Sequence, residues 1–271
     1  DMHHGDSVSL SDMVIFYRTN AQSRIFEDYL LKNRIPYVIV GGVSFYQRRE
    51  IKDILAYLRV IYSGADVIAF MRSINLPKRG LGATTLTNIQ RAASAAGMPV
   101  LEYCKHVVAT GSKEVRLSSR QRTGLEEYVA LIEKLRNRAE VESISEIMTN
   151  VIDESGYIAY LRGDDPETFD DRKENVDQLI TKAYEWEQEC DADASLGTFL
   201  EELSLRTTLD EASSPDDRIS LMTVHNGKGL EFDVTFLVGL EEELFPHANS
   251  YGSFEAIEEE RRLFYVGMTR A

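Results

Sequence analysis

Two apolar runs near the start of the chain are short and continuous. Met13-Val-Ile-Phe-Tyr17, followed by Arg18, and Tyr37-Val-Ile-Val40, closed by Gly41-Gly42, predict short buried strands. Between them, a helical period starting at Asn20 or Ser23 runs to Asn33, with Phe26, Tyr29, Leu30 and Leu31 as its apolar stripe. A further helix is predicted from Arg48 to about Tyr62, carrying Ile51, Ile54, Leu55, Leu58, Val60 and Ile61. Alternating strands and helices predict an α/β fold with a mostly parallel sheet. From about Ala65 to Pro215 the pattern changes. Only helical periods remain, at Leu125 to Leu135, Ile144 to Ile152, Asn175 to Tyr184 and Leu196 to Leu205. Loops such as Arg162-Gly-Asp-Asp-Pro166 and Ala212-Ser-Ser-Pro215 separate them. Strand-like runs return in Arg218 to Val224 and Val234 to Leu240. Strands at both ends of a chain need one another to make a sheet, since a small isolated set is marginal. The expected architecture is an α/β domain built from residues 1–45 and 216–271, with an all-α domain, 46–215, inserted between.

Composition narrows this picture without redrawing it. A chain of 271 residues that is 43% apolar can bury a proper core. No apolar run approaches the roughly 18 residues of a membrane span, and no signal-peptide pattern opens the chain. Cys104 and Cys190 give neither a disulfide framework nor a metal spacing and read as reduced core thiols. A cytoplasmic protein is expected. The chain opens without Met and stops inside a helical pattern, Glu258 to Ala271, so a piece of something longer is expected.

The net charge of −15 argues at first against nucleic acid, but the charge is unevenly spread. Met71 to Thr123 holds nine Lys and Arg against two acids, whereas Ala139 to Pro215 holds 21 acids against five bases. This fits one basic docking surface on an acidic body; it also fits two ordinary solvated helical faces.

Several signals for chemistry fail on inspection. Thr223-Val-His-Asn-Gly-Lys-Gly-Leu-Glu-Phe232 has a Gly-Lys-Gly core, but Met222 stands where a P-loop needs its first Gly and Gly229 where it needs Ser or Thr. Val151-Ile-Asp-Glu-Ser155 belongs to a helical period, and Leu209-Asp-Glu211 lacks a strand before it. His3-His4 has no company of ligands, and no metal site is expected. Without a P-loop or a magnesium carboxylate, the chain alone is not expected to hydrolyse a nucleotide.

Three features remain. Lys78-Arg-Gly-Leu-Gly82 opens an amphipathic helix, and a glycine turn there presents backbone N–H groups at the positive end of a helix dipole. With Lys78 and Arg79 beside Gly80 and Gly82, that chemistry suits a nucleic-acid phosphate; a plain helix–turn–helix corner has the same sequence signature. The second feature is the polar loop after a strand, with Thr223, His225, Lys228 and Glu231, where α/β sheets place ligands. A carboxylate such as Glu231 suits ribose hydroxyls; structural loop glycines are the competing account. The third is Arg270, at the end of an amphipathic helix, either plain surface or an arginine finger for a neighbouring domain's γ-phosphate.

Six segments in order closely resemble the C-terminal half of UvrD/PcrA/Rep-type superfamily 1 DNA helicases. They are residues 17–24 (YRTNAQSR), 41–53 (GGVSFYQRREIKD), 77–82 (PKRGLG), 223–232 (TVHNGKGLEF), 244–247 (LFPH) and 258–271 (EEERRLFYVGMTRA). The resemblance implies a second RecA-like domain with an inserted helical subdomain, taken from an ATP-dependent 3′-to-5′ helicase. It places Thr223 and His225 against DNA, Glu231 at the ATP ribose with Lys228 beside it, and Arg270 on the γ-phosphate. Arg18, Asn20 and His247 match positions that handle the single strand, and Lys78-Arg79-Gly80 to Gly82 the duplex grip. ATP and Mg²⁺ would be held mainly by an N-terminal half, which carries the P-loop and the Tyr-Arg of motif IV. Implied partners are single-stranded and duplex DNA, that N-terminal half, and repair or replication proteins, with no membrane. One departure is Gly227, where these helicases usually carry Ala or Ser. Other readings are a non-catalytic DNA-binding or docking module, or a helicase–nuclease whose nuclease follows Ala271.

Overall fold

Strands that are apolar at every position have both faces covered, as parallel strands between helices do. The computed structural model describes residues 8–190, 194–212 and 217–271, with side chains at all of these except 207–212. His3-His4, most of the 212–215 linker and the side chains of Asp210 and Glu211 lie outside the described residues. The strands are β1 (Met13–Tyr17), β2 (Tyr37–Ile39), β3 (Ile219–Thr223) and β4 (Val234–Leu237). Among the described residues the α-helices are α1 (Ser23–Lys32), α2 (Arg49–Tyr62), α3 (Val67–Ser73), α4 (Ala83–Ala95), α5 (Val100–Thr110), α6 (Ser119–Arg138), α7 (Ile144–Ser155), α8 (Tyr157–Asp164), α9 (Phe169–Glu189), α10 (Leu196–Ala212) and α11 (Phe254–Met268). None is long and apolar enough to cross a membrane.

The chain divides into two compact units, Asp1–Arg48 with Ser204–Ala271, and Arg49–Leu203. In the first, the four strands form one wholly parallel sheet in the order β2-β3-β1-β4. Ile15 of β1 lies beside Leu221 on one side and Phe236 on the other, so the two ends of the chain are hydrogen-bonded neighbours. Alternation along β1 sends Met13 and Tyr17 into a core with Leu30, Ile219 and Leu221. It sends Val14 and Phe16 into another with Met222, Val224 and Phe245, covered by Leu263 and Phe264 of α11.

One expectation is corrected in α1. Its buried face is Ser23, Arg24, Glu27 and Leu30, while Tyr29 is 64% exposed. The polar face is stable because its charges are answered. Glu27 accepts from the Ser23 hydroxyl at 2.5 Å and the Phe45 amide at 2.8 Å, and Arg48 donates to Ser23 at 2.6 Å. Asp28 accepts from Tyr46 at 3.1 Å and from Arg206 at 2.7 Å. These bonds also explain why the α/β unit takes Tyr46 to Arg48 and the second half of α10, beyond the sequence cuts at 45/46 and 215/216.

The second unit is helical throughout its described residues, including Val151–Ser155, which closes α7. Helices α3 and α8, of seven and eight residues, are too short to show a period of their own in the sequence, and α5 is not among the periods read there. Helix α2 is its axis: beyond the expected Ile51, Ile54, Leu55, Leu58, Val60 and Ile61, it also buries Glu50, Asp53 and Tyr57. Asp53, 2% exposed, accepts from Arg72 Nε at 2.7 Å and from the Tyr157 hydroxyl at 2.8 Å. Glu50 accepts from Asn175 at 2.6 Å. Cys104 is a buried free thiol, and burial pushes it up to about 12.

Candidate functional site

In the α/β unit the polar residues singled out by sequence collect beyond the carboxyl ends of parallel strands, the side on which such sheets accept ligands. Arg18 follows β1 directly. Its guanidinium grips Glu260 of α11 through Nε at 3.0 and 2.9 Å and Nη2 at 2.7 Å. Part of the Arg18 fork is therefore already used. Burial alone would raise the Glu260 carboxyl, but the Arg18 bonds and the His247 amide outweigh it and hold it below the usual carboxylate range. That amide reaches Glu260 at 3.0 Å, and the half-buried His247 ring accepts from the Asn249 amide at 3.3 Å. Asn20 is exposed and opens a 3₁₀ turn after β1.

Beyond β3 the chain makes a 3₁₀ turn, Val224–Gly227, because Thr223 and Val224 are buried while His225 and Asn226 are exposed. A Cβ at Gly227 would stand 2.4 Å from the Phe16 ring, which itself packs edge-on to Phe232. The departure at 227 is thus matched to the bulk of Phe16 rather than to a looser loop. Lys228 and Glu231 are exposed, and between them Gly229 has φ +84° with nothing near its missing Cβ. A left-handed residue there favours Gly and leaves the backbone open to close approach.

Arg270 closes this cluster. Its backbone oxygen accepts from the Phe232 amide at 2.9 Å, which pins the end of α11 to the loop. Its guanidinium donates to the carbonyls of Val266 at 2.9 Å and Leu230 at 3.3 Å and to the Thr269 hydroxyl at 3.1 Å. All three acceptors are neutral. A guanidinium held this way keeps its full charge for an anion, whereas Arg18 does not. Gly267 permits the approach of α11, since a Cβ there would meet Leu237 and Val224 at 3.2–3.3 Å.

In the helical unit the glycine turn is built around Asn75, whose side chain accepts from the Arg79 amide at 3.1 Å and donates to the Leu81 carbonyl at 2.5 Å. Gly80 has φ +79°, whereas Gly82 has an ordinary φ of −70° and open space at its Cβ. Gly82 is the N-cap of α4 and brings no side-chain cap, so the first amides of the helix face outward unpaired by a side chain. Lys78 is exposed, but Arg79 is corrected: its guanidinium turns inward to the Ile74 carbonyl at 2.9 Å and the Tyr57 hydroxyl at 3.1 Å, over the Tyr128 ring. It braces the turn and does not offer a charge.

Sequence reasoning missed Gly124 of α6, where a Cβ would stand 2.1 Å from the Arg79 carbonyl oxygen. The available signal was a lone Gly inside a helical period. Exposed Arg120, which counts in the sequence only among the nine bases of 71–123, has its side chain over Gly80 at 3.5 Å from a built Cβ and replaces Arg79 as the cation beside the turn. Among the described residues no cluster of His, Cys, Asp or Glu is arranged to hold a metal ion. The residues present fit the edge of a nucleotide: a cation on neutral acceptors beside a carboxylate and a lysine.

A family model described as UvrD-like helicase C-terminal domain matches residues 3–271. The chain is 41% identical over 276 residues to the ATP-dependent DNA helicase PcrA of Bacillus subtilis (strain 168), covering all of this chain and 36% of that protein. It is 39% identical to the same-named protein of Staphylococcus epidermidis and 37% identical to that of Staphylococcus aureus, in each case over 99% of this chain and 36% of the relative. The chain therefore spans about a third of the length of these relatives, and it belongs to the UvrD-like helicase C-terminal domain family.

Proposed function

We propose that this chain is the C-terminal motor half of an ATP-dependent helicase that moves 3′ to 5′ on single-stranded DNA and separates the duplex. The observation that carries the reading is Arg270: a guanidinium without a carboxylate partner among the described residues, held on the Leu230 carbonyl beside Glu231, at the carboxyl side of a parallel sheet. The names of the relatives, ATP-dependent DNA helicases, agree with it.

On this reading residues 1–48 and 204–271 are the second RecA-like domain and residues 49–203 the inserted subdomain. The first RecA-like half would supply the P-loop and hold Mg²⁺ and most of the ATP. ATP supplies the free energy of hydrolysis, needed because opening each base-pair step costs about 1.4 kcal/mol of stacking. Glu231 takes the ribose hydroxyls, with Lys228 adding positive charge next to it. Arg270 exchanges its carbonyl acceptors for the terminal phosphate, which draws α11 and the 223–232 loop with it. His225 and Asn20 face the single strand from exposed positions, with Thr223 shaping the loop from beneath and His247 and Arg18 adding a second contact. In the helical unit, the open amides after Gly80 and Gly82, with Lys78 nearby, hold a duplex phosphate.

The full-length protein is expected to unwind a duplex with a 3′ single-stranded tail and to leave the same duplex with a 5′ tail intact. Strand-displacement assays on both substrates decide it; unwinding of the 5′-tailed substrate alone would reverse the polarity, and unwinding of neither would remove the motor role. The grip has its own test. Gly82→Ala meets no steric obstacle and is expected to leave the thermal midpoint within about 2 °C while weakening duplex binding roughly tenfold. Unchanged duplex affinity, read by fluorescence anisotropy, would show that nothing approaches that backbone.

A further inference from the structure

Glu260 has no role in the chemistry described so far, yet its carboxylate takes four hydrogen bonds beside the strand ends. It is buried, at 7% exposure, on a helix whose neighbouring acids Glu255, Glu258 and Glu259 lie outside the core. Both of its oxygens take Arg18, and one also takes the His247 amide. Those two partners come from segments far apart in the chain, the residue after β1 and the turn before α11. Both are strand-facing on the reading above, on which this inference rests.

Arg18 is fixed from its other end as well, because its backbone amide donates to Gln22 at 2.8 Å. A bidentate carboxylate restrains a guanidinium in plane and direction, which a single hydrogen bond cannot do. With Nε and one edge of Nη2 committed, the N–H groups left to Arg18 lie on the remaining edge of the fork. Ten positions further along the chain lies Arg270, and between the two Gly267 seats the helix against Leu237 and Val224.

We infer that Glu260 is a positioning residue: it orients Arg18 and the His247 turn toward the DNA strand and ties both to α11, the helix that leads into Arg270. Glu260 does not touch DNA or nucleotide itself. It works by deciding which edge of Arg18 is presented.

Glu260→Gln isolates the effect, since an amide oxygen still accepts from His247 while the charged clasp on Arg18 is lost. In the full-length enzyme, Glu260→Gln is expected to raise the single-strand concentration for half-maximal ATPase about tenfold. Basal ATPase without DNA stays within twofold. The nucleotide-free Kd for an oligothymidine, read by anisotropy, should rise by the same factor. In an Arg18→Met background, which also replaces the cation with an uncharged side chain, the Glu260→Gln change should add less than twofold. A parallel fall in basal ATPase and DNA affinity would make Glu260 a fold support only. Multiplying effects in the double variant, or unchanged DNA affinity, would also overturn the inference. Loss of all ATPase control by Arg270 would instead defeat the motor reading, independently of Glu260.

Discussion

Arg270→Ala in the full-length enzyme is expected to lower DNA-stimulated ATP turnover by about 10³–10⁵-fold, the range for an arginine finger, with nucleotide affinity changed only a few-fold. The structure explains why so large a loss would not be a folding artefact. The backbone of Arg270 is held by the Phe232 amide at 2.9 Å, a bond alanine retains. Among the described residues the side chain bonds only to neutral acceptors, two carbonyls and a hydroxyl, so its removal strands no buried charge there. What is lost locally is a cation near a helix C-terminus, worth about 0.3–1 kcal/mol. Arg270→Lys should also be severely impaired, because an ammonium cannot present two parallel N–H groups to a phosphate. Single-turnover hydrolysis combined with binding of a non-hydrolysable analogue checks both. Turnover within tenfold of the parent for Arg270→Ala would remove the finger assignment.

The largest expected effect on stability lies in the helical unit. Asp53→Ala should destabilise it by about 3 kcal/mol, at the low end of the range for breaking a buried ion pair. Asp53 is the acceptor for two groups that approach from different helices, Arg72 at the end of α3 and Tyr157 at the start of α8. The Tyr157 hydroxyl is buried and, among the described residues, has no other bond to replace the one lost. Arg72 is about a third exposed and keeps its bond to the Arg49 carbonyl, so water relieves part of its cost. Asp53→Asn keeps an acceptor and the shape of the site and should cost roughly half as much. Urea unfolding of both variants measures this; a loss below about 1 kcal/mol for Asp53→Ala would mean that the three helices are held by apolar packing alone.

The two expected effects differ in kind. One residue sits on acceptors it can leave, and the other is the acceptor that its neighbours cannot leave. That difference separates a side chain poised for a ligand from one committed to the fold. It is invisible in residue type, since each is a single charged side chain in or next to a helix.

Much of the architecture is legible in the chain because it follows from local periodicity. The strand runs at 13–17, 37–39, 219–223 and 234–237, and the absence of strands from the described part of the middle, need only the burial of apolar residues at a period of two or of 3.6. The glycine turn at 80–82 and the polar loop at 223–232 were likewise readable, as φ-permissive residues next to polar ones. Local pattern does not show which partner a polar side chain meets, because that partner is distant in sequence. Arg79 reads as an available cation until the Ile74 carbonyl takes it, and the resemblance that places Arg18 at the single strand does not show its bond to Glu260. The apolar stripe read for α1 leaves out Glu27 and Arg24, which are buried, with the Phe45 amide on Glu27 and Asp28 beside Arg24. Gly124 and Gly267 carry no signal of their role, and Gly227 stands only as a departure, until the Arg79 carbonyl, Leu237 and the Phe16 ring occupy the space a Cβ would need. The sequence by itself determined the elements, their class and the order of the motifs. Tertiary structure alone decided which charges remain for a ligand, because a charge is spent or spared by whatever the fold brings within about 3 Å of it.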